Sequence, residues 1–218
     1  MGVGGEQQQV NKYLTFYELD LGLYHVVKKH SVVVDRSAHF LIAVPGGSDG
    51  PSGVLVASEN YLTYYSVLFG GGAELANKEP VKSAIPRRVQ MPVARGLMIV
   101  ASGMHKSKKK TKHLLFFIIQ SEVGDLYKVT LDYDENTKIV SSIDVRYFDT
   151  TPVANSINVL RSGHLFLASE FGNHEFYRFK GVGENEDVIV SEMQLCDDTQ
   201  VVKTIPLFNP RPLKNLVK

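Results

Sequence analysis

Phe117-Ile-Ile-Gln-Ser-Glu-Val-Gly-Asp-Leu-Tyr127 is the stretch on which the fold turns. An apolar run, a Ser-Glu pair, a Val-Gly-Asp turn and an aromatic-bearing run follow one another within it. Gly and Asp tolerate the positive φ values at which a tight hairpin reverses. The stretch therefore reads as two antiparallel strands. The run leading into it, Leu114-Leu-Phe-Phe-Ile-Ile119, is apolar at every position. Successive strand residues face opposite sides of a sheet, so such a strand must be covered on both, which implies sheets stacked between other sheets.

The same pattern occurs twice more, in Val54-Leu-Val-Ala-Ser-Glu-Asn-Tyr-Leu-Thr-Tyr64 and Phe166-Leu-Ala-Ser-Glu-Phe-Gly-Asn-His-Glu-Phe176. The Ser-Glu pairs fall at 58–59, 121–122 and 169–170, spaced 63 and 48 residues apart. Four-stranded propeller blades of about 40–50 residues, with loops of varying length, have this spacing. Each hairpin is preceded by an apolar strand expected to line a central channel: Phe40–Val44, Leu97–Ala101 and Ser156–Leu160. Outer strands should follow each hairpin, most clearly Ile139–Tyr147, and Val123-Gly124-Asp125 and Phe171-Gly172-Asn173 should supply the positive-φ turns. Further strands are expected at Tyr13–Glu18, Tyr24–Lys28, Gly53–Ser58, Tyr61–Val67, His113–Ser121, Asp125–Leu131, His164–Ser169 and His174–Phe179. Almost no segment carries apolar residues at helical spacing.

The fold expected is all-β: a partial β-propeller of about three four-stranded blades plus leading strands, WD40-like without WD signatures. Residues 1–12 read as a linker, 13–208 as blades and 209–218 as an extended segment. Three blades do not close a ring, since propellers need at least about four, so the sequence reads as a fragment.

Composition narrows the function classes. The 218 residues are 44% hydrophobic and 22% charged, in the range of ordinary globular proteins. Lys and Arg number 24 against 23 acidic residues, so no whole-chain field draws the protein to nucleic acid or anionic lipid. A single cysteine, Cys196, forms no internal disulfide and favours a reducing compartment, cytosol or nucleus. The Gly- and Gln-rich start, Met1–Val10, is not a secretory signal. The longest apolar run is far short of the roughly 20 residues of a membrane helix.

Little in the sequence points to catalysis. The loop Pro45-Gly-Gly-Ser-Asp-Gly-Pro-Ser-Gly53 lacks the Gly-Lys-Ser/Thr ending and following helix of a phosphate cradle, and reads as a tight connection between strands. The seven histidines show no ligand spacing with one another or with Cys196, so neither a metal nor another cofactor is expected. Glu59, Glu122 and Glu170 repeat at one position per blade, which marks them as hairpin-end groups rather than catalytic carboxylates. No nucleophile-elbow or triad arrangement occurs, and no small-molecule substrate is implied. The candidate partner contacts are basic. Lys106-Ser-Lys-Lys-Lys-Thr-Lys112 reads as a loop between apolar strands, with Lys108, Lys109 and Lys110 at its centre and no aromatic residues interleaved for base stacking. Arg87 and Arg88 sit in a connector stiffened by Pro86 and Pro92.

Several stretches resemble the splicing factor 3b subunit 3 family, the large multi-propeller subunit of a spliceosomal complex. They are Leu14-Thr-Phe-Tyr-Glu-Leu-Asp-Leu-Gly-Leu23, Val44-Pro-Gly-Gly-Ser-Asp-Gly-Pro-Ser-Gly-Val54, Ser58-Glu-Asn-Tyr61, Ile85-Pro-Arg-Arg88, Tyr147-Phe-Asp149, Ala168-Ser-Glu-Phe-Gly-Asn-His174 and Pro210-Arg-Pro-Leu-Lys-Asn-Leu-Val217. The resemblance implies an internal piece of a longer nuclear scaffold, covering late blades of a first propeller. It implies as partners other splicing factor 3b subunits of the U2 small nuclear ribonucleoprotein, chiefly the helical-repeat subunit, with RNA contact indirect or peripheral. The sequence departs from the family at the lysine stretch 106–112, at 70–80, at Val89–Ala94 and at 187–208. Two rivals stand beside this reading: a paralogous scaffold of the DNA-damage-binding ubiquitin-ligase or cleavage and polyadenylation type, and a hydrolase or lyase propeller with a site at the channel mouth.

Overall fold

Alternation along the strands decides where every sheet goes. The computed structural model describes residues 11–67, 79–88, 95–109, 112–169, 171–179 and 203–205, with backbone alone for 108, 109, 112, 113 and 203–205. The expected C-terminal segment 209–218, nearly all of the expected linker, Lys110, Glu170 and Cys196 lie outside the described residues.

Strands β1 (Lys12–Asp20) and β2 (His25–Val34) form a two-stranded antiparallel sheet with a bulge at Phe16/Tyr17. Three four-stranded sheets follow, each a simple antiparallel meander. Blade I holds β3 (Phe40–Val44), β4 (Gly53–Ser58), β5 (Tyr61–Ser66) and β6 (Val81–Ala84). Blade II holds β7 (Ile99–Lys109), β8 (Lys112–Ser121), β9 (Asp125–Tyr133) and β10 (Val140–Thr150). Blade III holds β11 (Ser156–Leu160), β12 (His164–Ala168), β13 (His174–Arg178) and β14 (Lys203–Ile205). First strands lie beside first strands and last beside last, β7 against β3 and β11, β6 against β10. This is the radial stacking of propeller blades.

The doubly apolar strand β8 shows why the sheets stack. Phe117 and Ile119 enter a core shared with Leu55, Leu62 and Tyr64 of blade I. Phe116 and Ile118 turn the other way, into a core with Ile157, Leu165 and Leu167 of blade III. All four are fully buried, and burial of a side chain of this size stabilises by about 1.5–3 kcal/mol. Blade I repeats the logic: Leu55 and Ala57 face blade II, while Val54 and Val56 face Leu14, Phe16, Val32 and Val34 of the β1–β2 hairpin.

The repeated Ser-Glu pair marks the same point in each blade. Ser58 and Ser121 end β4 and β8, Ser169 directly follows β12, and all three are buried. The turns differ. Gly124 has φ of +89° and Asn60 of +69°, whereas Gly172 lies outside the positive-φ region, contrary to expectation. A Cβ on Gly124 would stand 2.2 Å from the Thr151 carbonyl oxygen, so glycine is required there for space as well as conformation.

The structure adds the short strand β14, which is not among the expected strands, and corrects the sequence expectation in three further places. The sequence reading missed β6, whose Val-Lys-Ser-Ala carries almost no apolar signal because it is the outermost strand of blade I. It stopped β2 at Lys28, although pairing continues to Val34. Most consequentially, the lysine stretch 106–112 is not a loop between strands. The β7–β8 ladder runs through Lys108↔His113 to Lys109↔Lys112, so Lys106, Lys108, Lys109 and Lys112 belong to the strands of a long hairpin. Charge and Gly103 disguised this segment, whose side chains alternate between buried and accessible from Ala101 to Lys106.

Candidate functional site

The Arg connector and the lysine hairpin occupy different parts of the arc. Ile85, buried directly after β6, donates its N–H to the Asn60 carbonyl (2.8 Å) and fixes where the following Pro86-Arg87-Arg88 leaves the blade. Arg88 Nε then reaches blade II and donates to Asp125 Oδ2 at 2.9 Å. Asp125 is wholly buried while Arg88 keeps 38% of its side chain exposed. Thr150 Oγ1 donates to the second carboxylate oxygen at 2.6 Å, and Tyr147 Oη lies 2.8 Å from that same hydroxyl. The Asp125 N–H donates to Ser121 Oγ at 3.1 Å, which gives the serine of this pair a role in closing the blade II hairpin. Beside this network Tyr127 is buried, and its burial, with the Asp125 carboxylate adding, pushes the phenol up to about 12 against the opposing pull of Arg88 and Arg87. Arg87 is half-buried in the same connector.

Two further clamps tie blades together. His39 offers Nδ1 to the Ser37 carbonyl (2.9 Å), which leaves Nε2 to accept the Ile99 N–H (3.0 Å) and joins the inner strands of blades I and II. Gln120, fully buried, donates Nε2–H to Thr151 Oγ1 and the Pro152 carbonyl and accepts the Ala154 N–H on Oε1. It thereby fixes the passage from blade II to blade III. Of the repeated glutamates, Glu122 pairs through its carboxylate with Arg95 at 3.4 Å, and Glu59 donates its backbone N–H to Ser37 Oγ.

On the lysine hairpin, Lys106 donates to Asp49 Oδ2 at 2.9 Å. Asp49 belongs to the Gly-rich loop joining β3 to β4, whose Gly47 and Ser52 have positive φ and whose Gly50 would bring a Cβ within 2.6 Å of the Pro45 carbonyl oxygen. His105, one residue before, is buried on the opposite face against Phe116, with ring centroids 5.0 Å apart. Burial, then the nearby Arg161 of the β11–β12 turn, hold its imidazole below the ordinary range. Lys108 and Lys109 lie in β7 by backbone register. The structure thus groups Arg87 with Arg88, keeps Lys108 and Lys109 together elsewhere, and adds Asp49, Asp125 and Gln120, which sequence reading had not singled out. For Asp125 a signal existed: it follows the turn glycine of the central hairpin. No group of three residues suited to a metal ion occurs among the described residues.

Stacked four-stranded meanders held by inter-blade clamps define a β-propeller protein. The sequence matches, over residues 6–205, the model of a family described as the RSE1/DDB1/CPSF1 first beta-propeller. The chain belongs to that family. It is 46% identical over 215 residues to spliceosome-associated protein 130 A of Arabidopsis thaliana, covering 99% of this chain and 16% of the relative. It is 43% identical to splicing factor 3B subunit 3 of Drosophila melanogaster over 98% of the chain and 45% identical to that of Danio rerio over 94%, again 16% of each relative. The chain therefore spans about a sixth of the length of these proteins.

Proposed function

We propose that this propeller arc serves pre-mRNA splicing in the nucleus as a non-enzymatic scaffold, within the splicing factor 3b complex of the U2 small nuclear ribonucleoprotein. The observation that carries the reading is the identity of 43–46% to splicing factors across nearly the whole chain. The interior chemistry supports it. Asp125, Gln120 and His39, which in another setting would serve catalysis, spend their polar atoms on structural hydrogen bonds within a blade, to the connectors and to the next blade. Partners are other splicing factor 3b subunits, chiefly the helical-repeat subunit, met through Arg87 and Arg88 on one side and Lys108, Lys109 and Lys110 on the other. RNA is contacted indirectly or peripherally.

Affinity purification of the tagged full-length parent from nuclear extract tests this. Splicing factor 3b subunits should be recovered. Recovery of a cullin ligase or of cleavage and polyadenylation factors instead would assign the chain to the other branches of its propeller family.

A further inference from the structure

The β7–β8 hairpin outgrows its blade. β7 has 11 residues where the equivalent β3 and β11 have 5, so it overruns them by six residues, about 20 Å at the rise of an extended chain. On its outer side β8 pairs with β9 only from Phe117 to Gln120. From His105 to Lys109 and from Lys112 to Phe116, therefore, the described residues form a two-stranded ribbon. β7 is the terminal strand of its sheet, so among the described residues its other edge has no strand partner.

The ribbon's chemistry is one-sided. Residues 99–121 contain five lysines and no acidic residue, in a chain whose net charge is only +1. Among the described side chains of the ribbon, Lys106 meets a carboxylate, that of Asp49 from another blade. Arg161 adds charge from the neighbouring blade near the ribbon's base. Edge strands bearing lysines resist pairing with apolar strands, while a strand bearing carboxylates meets the opposite condition. Strand addition supplies backbone hydrogen bonds and lets alternate side chains specify the guest.

We infer that the β7 edge from Met104 to Lys109 docks an extended acidic polypeptide segment, added as a strand, with its Asp or Glu side chains on the ribbon lysines. This deepens the scaffold reading and rests on it in assigning the ribbon to partner contact. An extended peptide is favoured over RNA because the ribbon offers an open backbone edge and because its one ring between Met104 and Lys109, the His105 imidazole, is buried against Phe116 and leaves no face on which a base could stack.

The test is fluorescence anisotropy on the 218-residue chain, with a labelled peptide alternating Glu with Thr and Val, its copy N-methylated at alternate amides, and oligouridylate of equal length. The unmethylated peptide should bind most tightly and weaken with salt. N-methylation, or the double reversal Lys108→Glu/Lys109→Glu, should each weaken it about tenfold or more, and Lys108→Arg/Lys109→Arg should restore it. Circular dichroism confirms that the variants fold. Equal binding of the N-methylated peptide, tighter binding of oligouridylate, or indifference to charge reversal overturns the inference. Recovery of splicing factor 3b subunits by the parent carrying the reversals is scored separately. Recovery of the subunits with peptide binding absent in the unmutated chain removes only the docking edge; peptide binding without recovery by the unmutated parent removes only the splicing assignment.

Discussion

Replacing Arg88 should damage the arc more than replacing its partner Asp125. Arg88→Ala leaves a wholly buried carboxylate holding only the Thr150 hydroxyl. Stranding a buried charge in this way costs about 3–5 kcal/mol, and we expect about 3. Asp125→Ala removes the carboxylate itself. The guanidinium, 38% exposed, then turns to water, and the loss is confined to the charge-assisted hydrogen bonds, about 2 kcal/mol. The double variant should cost at least about 1 kcal/mol less than the two single losses together, because the stranded charge disappears with its partner. Urea denaturation followed by circular dichroism and tyrosine emission measures all three, as the chain has ten tyrosines and no tryptophan. A greater loss from Asp125→Ala, or losses that add within about 0.5 kcal/mol, would show that the pair does not couple blades I and II.

Gly124→Ala should cost at least about 2 kcal/mol, through its positive φ and its approach to Thr151, whereas Gly172→Ala should cost less than about 1 kcal/mol; paired melts distinguish them. His105 is held below the ordinary imidazole range in the fold, so the unfolded chain takes up its proton first as the solution is acidified. Stability should fall as pH drops below about 6.5 and stop falling beneath the folded value. His105→Phe should flatten that part of a melting-temperature profile between pH 7.5 and 5; an unchanged slope would exclude His105 as its source. The β1–β2 face turned away from blade I exposes Tyr13, Tyr17, Leu19, Val26 and Val33, so the isolated chain should self-associate. Tyr17→Lys with Val26→Lys should lower the association seen in sedimentation velocity.

How much of this was legible in the sequence depended on whether the signal was local. Leu114–Ile119 declared its two-sided burial because apolarity at consecutive positions has one meaning in a strand bounded by turns. Phe40–Val44, Gly53–Ser58 and Ser156–Leu160 were read to the residue. The outer strand β6 was not, since an edge strand buries little and its composition carries no alternation. The basic candidates were visible as charge, but their setting was hidden. Lys106 meets its carboxylate 57 residues away and Arg88 meets Asp125 37 residues away, pairings that only the stacking of blades creates. Lysines also read as loop residues unless the ladder that carries them is seen.

The two-faced strand β8 has a mechanical consequence. A load drawn along the stacked sheets meets them in series, and a sheet held through the smaller contact yields before one held through the larger. The β1–β2 hairpin clings to blade I through a small cluster centred on four buried residues, while blade II is gripped from both flanks. A pull on the β1–β2 hairpin should therefore free it before blade II yields, with the charged hairpin of blade II still presented after the β1–β2 sheet has let go.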